Sequence, residues 1–135
     1  MAMRKMSYVL DTHAWIWLIG GHERARRLKR VRRNAQLLLS VVSIWEATLL
    51  HMKGRLVLKP NPRAFFDSFI EAIGIRCVSL SRIAAMEAFL LPGEFPADPA
   101  DRLLVAATIE LDAILVTADE RILQYKHLKL RTFKL

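Results

Sequence analysis

The feature that most constrains this chain is an alternation, kept up along its length, of short apolar runs with segments of helical period. Tyr8-Val9-Leu10 reads as a strand that stops at Asp11. Leu37 to Val42 reads as a second, of the apolar kind expected when a sheet is covered on both faces. Ile75 to Leu80 and Ile114 to Val116 supply a third and a fourth, and Leu128 to Phe133 a weaker fifth. Helical periods fill the gaps. One runs from Ala14 to Ile19 and stops at Gly20-Gly21; the next opens at Ser43 and closes at Gly54; a third follows Asn61-Pro62 to Ile73. Ser81 caps a helix that reaches Leu91, where Pro92-Gly93 break it. Asp98-Pro99 starts another, with Ala100, Leu103, Leu104, Ala107 and Leu111 at core spacing. A short helix follows Asp119. Strands alternating with helices predict an α/β fold with a central, mostly parallel five-stranded sheet flanked by helices. The 135 residues show no internal repeat and no linker, so a single domain over 1–135 is expected. The ligand crevice of such a sheet lies at the carboxyl ends of its strands.

Composition narrows the function. A single cysteine, Cys77, excludes an internal disulfide framework and any cysteine-based zinc cluster; inside an apolar strand it is expected to be inert. No apolar run approaches the ~20 residues that span a bilayer, so the expected setting is the cytoplasm, without a membrane partner. The net charge is +8, and most of it is local. Arg24, Arg26, Arg27, Lys29, Arg30, Arg32 and Arg33 crowd residues 22–36 against Glu23 alone. This stretch reads as a helix with Leu28, Val31 and Ala35 on one stripe. Such an excess suits RNA or a protein partner better than a merely solvated surface.

Four acids occupy one kind of place. Asp11 follows the first strand, Glu46 lies just past the second, Asp119 follows the fourth, and Asp101 opens the helix that leads into the fourth. Each has a plain structural use: Ser43-x-x-Glu46 matches a capping box, Asp98 is a helix cap ahead of proline, and Asp11 and Asp119 suit N-caps. Capping needs only one oxygen, however, and Ser or Thr supplies it without gathering negative charge. Clustered carboxylates repel unless cations neutralise them. Hard divalent ions do so with oxygen ligands, and with no thiolate cluster or paired histidines zinc is a poor candidate. One or two Mg²⁺ or Mn²⁺ ions would activate water and stabilise the leaving oxygen of a phosphodiester.

Four stretches, in order, resemble the PIN-domain family and within it the VapC-type toxins of bacterial toxin–antitoxin pairs: Tyr8-Val9-Leu10-Asp11-Thr12-His13-Ala14, Ser40 to Glu46, Asp98 to Ala106, and Leu115-Val116-Thr117-Ala118-Asp119. The resemblance implies a metal-dependent endoribonuclease whose metal-binding acids are Asp11, Glu46, Asp101 and Asp119. It places Thr12, Asp98 and Thr117 beside them as orienting or capping residues. It further implies a homodimer and inhibition by a VapB-type antitoxin. The arginine-dense stretch is not part of the family signature, and its role in binding RNA or partner rests on charge alone.

Two other classes compete. A phosphoacceptor receiver domain also holds magnesium in an acid pocket, but it needs an acidic pair at the first strand and a lysine after the last, which this chain lacks. A non-catalytic RNA- or partner-binding module on the same fold stays open, because geometry decides activity, but a pure RNA binder gains nothing from carboxylates that face phosphates. Of the remaining residues, His13 is close to Asp11 but is expected on a helix surface. His51 suits a helix C-terminus. Trp15, Trp17 and Trp45 are expected in the core or at a dimer contact.

Overall fold

A computed structural model describes residues 6–28, 35–95 and 98–135. Its strands are β1 (Met6–Leu10), β2 (Ala35–Ser40), β3 (Arg76–Val78), β4 (Ile114–Thr117) and β5 (Arg131–Lys134). Its helices are α1 (Thr12–Gly20), α2 (Val41–Met52), α3 (Pro62–Ile73), α4 (Arg82–Glu87), α5 (Pro99–Glu110) and α6 (Glu120–Leu123). The strands form one sheet in the order β3-β2-β1-β4-β5, and every neighbouring pair is parallel. The chain first builds outward from β1 through β2 to β3, then returns to β1's other edge with β4. That reversal puts the topological switch point at the carboxyl ends of β1 and β4, where open α/β sheets bind ligands.

Alternating side chains distribute the sheet between two cores. Leu10, Leu37, Leu39 and Val116 face α1 and α3, while Val9, Leu38 and Leu115 face Phe95, Val105 and Ile122. Trp15 is the anchor on the first face. It is fully buried, stacks on Phe66 at 5.2 Å and meets Phe65 and Phe69 edge-on at 6.1 and 5.5 Å. Gly21, at φ 67°, takes the left-handed turn that closes α1. None of the described helices is long and apolar enough to cross a membrane.

Several boundaries differ from expectation. β2 ends at Ser40 and not Val42, because the Ser40 hydroxyl accepts the Val42 N–H at 3.1 Å and starts α2. Ser43, expected to be the cap, is wholly buried inside that helix, so Ser43-x-x-Glu46 is not a capping box and Glu46 falls in the second turn, not the first. The early end of β2 also trims β3, which pairs only Arg76–Val78 against Leu38–Ser40. Cys77 is exposed on this edge strand instead of being enclosed, and partial burial pushes its thiol pKa up. α4 stops at Glu87, where bonds from Phe89 to Met86 and from Leu90 to Glu87 tighten the chain into a turn. Leu128 is fully exposed: His127 accepts the Lys129 and Leu130 N–H groups in a turn, and β5 begins only at Arg131. Leu111 is exposed just past α5, and Ala35 belongs to β2, not to a helical stripe. Glu23–Arg26 forms a 3-10 turn, while Lys29, Arg30, Val31, Arg32 and Arg33 lie outside the described residues.

The aromatic cluster yields a stability test. Trp15→Ala should cost about 3–5 kcal/mol in urea unfolding, the range for emptying a buried indole site. Trp15→Phe should cost much less, because it keeps ring packing and removes an indole N–H that has no partner among the described residues.

Candidate active site

The carboxyl ends of β1, β2 and β4 and the start of α5 surround a hollow of about 330 Å³ lined by Asp11, Glu46, Asp98, Asp101 and Asp119. Asp11 is the buried member. Its Oδ1 accepts the Ala14 N–H at 2.7 Å and so caps α1, while its Oδ2 accepts the Thr117 hydroxyl. Its own N–H donates to the Val116 carbonyl at 3.0 Å, which carries the β1–β4 ladder one residue past the strand. Thr117 also accepts the Asp119 N–H at 3.0 Å, so one buried hydroxyl ties two acids together.

A similar tie holds Glu46. The Thr12 hydroxyl donates to Glu46 Oε1 at 2.6 Å and lies 3.1 Å from Ser43 Oγ. Asp98 caps α5 by accepting the Ala100 and Asp101 N–H groups at 2.9 and 3.2 Å, which leaves Asp101 on the first turn of that helix. Asp119 caps α6 and pairs with Arg121 at 3.3 Å. Capping and crowding therefore coexist in the same side chains.

Arg121 and Trp17 also form the wall and were not singled out as site residues; Arg24, expected from charge to bind RNA or a partner, lines it too. Arg121 could have been found from its place two residues after Asp119. Trp17 and Arg24 meet only in three dimensions: Trp17 stacks on His22 at 4.9 Å, and the Arg24 guanidinium lies 5.4 Å from the Trp17 ring centre. His13 is exposed and also lines the hollow. His51 instead accepts the Leu58 N–H through Nδ1 at 3.1 Å, a structural use.

Electrostatics show what the crowding does. Burial, followed by the charges of Asp98, Asp119 and Glu46, pushes the Asp101 pKa up to about 7. Burial raises Asp11 against the opposing hydrogen bonds from Thr117 and Ala14, and it raises Glu46 against the bond from Thr12. Asp119 moves the other way: burial opposes ionisation, but hydrogen bonds and charge from Arg121 outweigh it. Without a bound cation, then, the hollow holds more carboxylate than it can comfortably ionise.

Among the described residues, no three acid, imidazole or thiol groups stand as a ready-made ion cage. The all-oxygen donor set, in a hollow with room for water, fits a hard divalent ion.

A family model for the PIN domain matches residues 8–128, and the chain belongs to that family. Among characterised relatives it is similar to Ribonuclease VapC22 of Mycobacterium tuberculosis (strain ATCC 25618 / H37Rv), 29% identical over 88% of this chain and 92% of the relative. Its fold is that of VapBC from Salmonella typhimurium, solved bound to DNA, with a TM-score of 0.69 and 16% identity over 96% of this chain and 98% of that one. The same fold occurs in VapC20 of Mycobacterium tuberculosis, a Sarcin-Ricin loop cleaving toxin, with a TM-score of 0.60 and 16% identity over 90% and 98% of the two chains.

The raised acids set a pH dependence. An unfolded Asp101 ionises near pH 4 and the folded one near 7, so between these values the folded state holds the extra proton. Stability of the chelator-treated protein should therefore fall as pH rises from about 4 to about 7 and level off above. Thermal melts across that range should show the decline, and Asp101→Asn should remove much of it, raising the melting temperature at pH 8 but not at pH 4.

Proposed function

We propose that this chain is the toxin of a type II toxin–antitoxin pair: a Mg²⁺- or Mn²⁺-dependent endoribonuclease that works in the cytoplasm. The observation that carries this is the acid hollow at the sheet's switch point, built by Asp11, Glu46, Asp101 and Asp119 and incompletely ionised without a cation. The similarity to a VapC ribonuclease supports the same activity.

Asp11, Glu46, Asp101 and Asp119 would hold the ion or ion pair, with Asp98 capping the helix that presents Asp101. When bound, a divalent ion lowers the pKa of a coordinated water and stabilises charge on the leaving oxygen of the phosphodiester. The chain's own contribution is orientation. Thr117 fixes the rotamer of Asp11 and the backbone of Asp119, and Thr12 fixes Glu46. Arg121 and Arg24 put positive charge on the rim, where an RNA phosphate approaches an otherwise repulsive wall.

Exposed apolar surface supports the protein partners of this reading. Val41, Trp45, Leu49 and Met52 form an exposed apolar stripe on α2, and Ile83, Met86, Phe89 and Leu90 are exposed on and after α4. Both helices pack on α5. Exposed apolar side chains on this scale mark a protein interface, and the stripe on α2 is assigned to a second copy of the chain. An antitoxin of VapB type is the cognate inhibitor, as the VapBC complexes of the same fold suggest.

Purified protein with Mg²⁺ should cleave RNA, and chelation should stop it. Asp11→Asn and Asp119→Asn should each take cleavage below detection with unchanged circular dichroism, since asparagine still caps a helix. Thr117→Val should lower the rate about 10–100-fold, as expected for a group that orients a ligand. Full activity in either acid variant would refute the assignment. On the dimer face, Trp45→Glu should turn the protein into a monomer in sedimentation analysis.

A further inference from the structure

Beside the acid hollow lies a second one of about 710 Å³, between the 3-10 turn and the end of β5. Its charged walls are Arg24, Arg26, Arg27 and Lys134 against Glu23 and Glu120. Lys134 pairs with Glu120 at 3.1 Å, which leaves the three arginines facing Glu23. Arg24 and Ala118 line both hollows, so the two adjoin at that shared wall.

We infer that this basic hollow is a phosphodiester subsite, which takes the RNA backbone next to the scissile bond as the strand leaves the acid hollow. This rests on the ribonuclease reading above and adds to it a strand path. The acid hollow attracts no polyanion by itself, so binding energy for RNA has to come from adjoining cations. Arg24 is held ready for this at the junction. Its backbone N–H donates to His22 Nδ1 at 3.1 Å, and Trp17, stacked on that same imidazole, lies under the guanidinium. No carboxylate among the described residues pairs with it. A guanidinium resting on an aromatic face keeps its donors for a phosphate at little entropic cost. Arg26 and Arg27 follow on the same turn, both exposed. An acidic protein segment could use the same charges, but adjacency to the acid hollow through a shared arginine favours the RNA strand.

The test is binding of a fluorescein-labelled, mixed-sequence 12-nucleotide RNA, followed by anisotropy on the intact protein with chelator present. Cleavage is then absent, and the result does not depend on whether the protein is a nuclease. Arg26→Ala/Arg27→Ala should weaken binding about five- to tenfold and lower the slope of log affinity on log salt by about 1.4, near 0.7 per lost phosphate contact on a single strand. Arg63→Ala/Arg82→Ala removes the same charge from exposed sites elsewhere and should change affinity less than twofold. A dinucleotide, too short to reach the second hollow, should bind both double variants and the wild type alike. Equal losses in the two double variants would mean a diffuse charge effect and overturn the subsite. So would unchanged RNA binding in Arg26→Ala/Arg27→Ala, with loss only of inhibition by the cognate antitoxin. RNA binding that behaves as expected in a protein that cleaves nothing would instead retire the nuclease proposal and leave the strand path standing.

Discussion

Asp11 is where the demands of fold and site meet. Its backbone N–H extends the β1–β4 ladder, one carboxylate oxygen caps α1, and the other accepts from Thr117 on the neighbouring strand. A buried carboxylate is costly unless its oxygens are satisfied. Here the satisfaction comes from the parallel pairing that sets the sheet order. The same bonds that make burial tolerable fix the direction in which the group faces the hollow, so the site is assembled by the register of the central strands.

Charge is partitioned on a similar principle. A chain of net charge +8 keeps five carboxylates around one hollow and several arginines just outside it. Burial and then crowding raise the Asp101 pKa to about 7, while Arg121 lowers that of Asp119, so the acids differ in readiness although they share one hollow. Arg24 and Arg121 set positive charge beside the same carboxylates.

Much of the fold was legible because period and punctuation are local. The apolar cores of β1, β2 and β4, the caps at Asn61, Ser81 and Asp98, and the stop at Gly21 are set by neighbours within a few residues. Errors arose where two local signals overlapped. Leu37 to Val42 looks like one strand, yet Ser40 interrupts it and has the hydroxyl that starts α2. The Ser-x-x-Glu spacing at Ser43 then imitated a cap at a position that is in fact wholly buried. Trp45 and Leu128 are apolar but exposed, which composition does not reveal, because exposure depends on what packs beside them.

By itself the sequence determined the element types, the α/β class and the placement of acids at strand ends, since backbone propensity and capping act over a few residues. Tertiary structure decided what no single segment contains: the strand order, the bonds from Thr117 to Asp11 and from Thr12 to Glu46, and the meeting of Trp17, His22 and Arg24 beside the acids. Partners such as Thr117 and Asp11, 106 residues apart, meet only when the sheet closes around β1. Their geometry is therefore a property of the packed molecule.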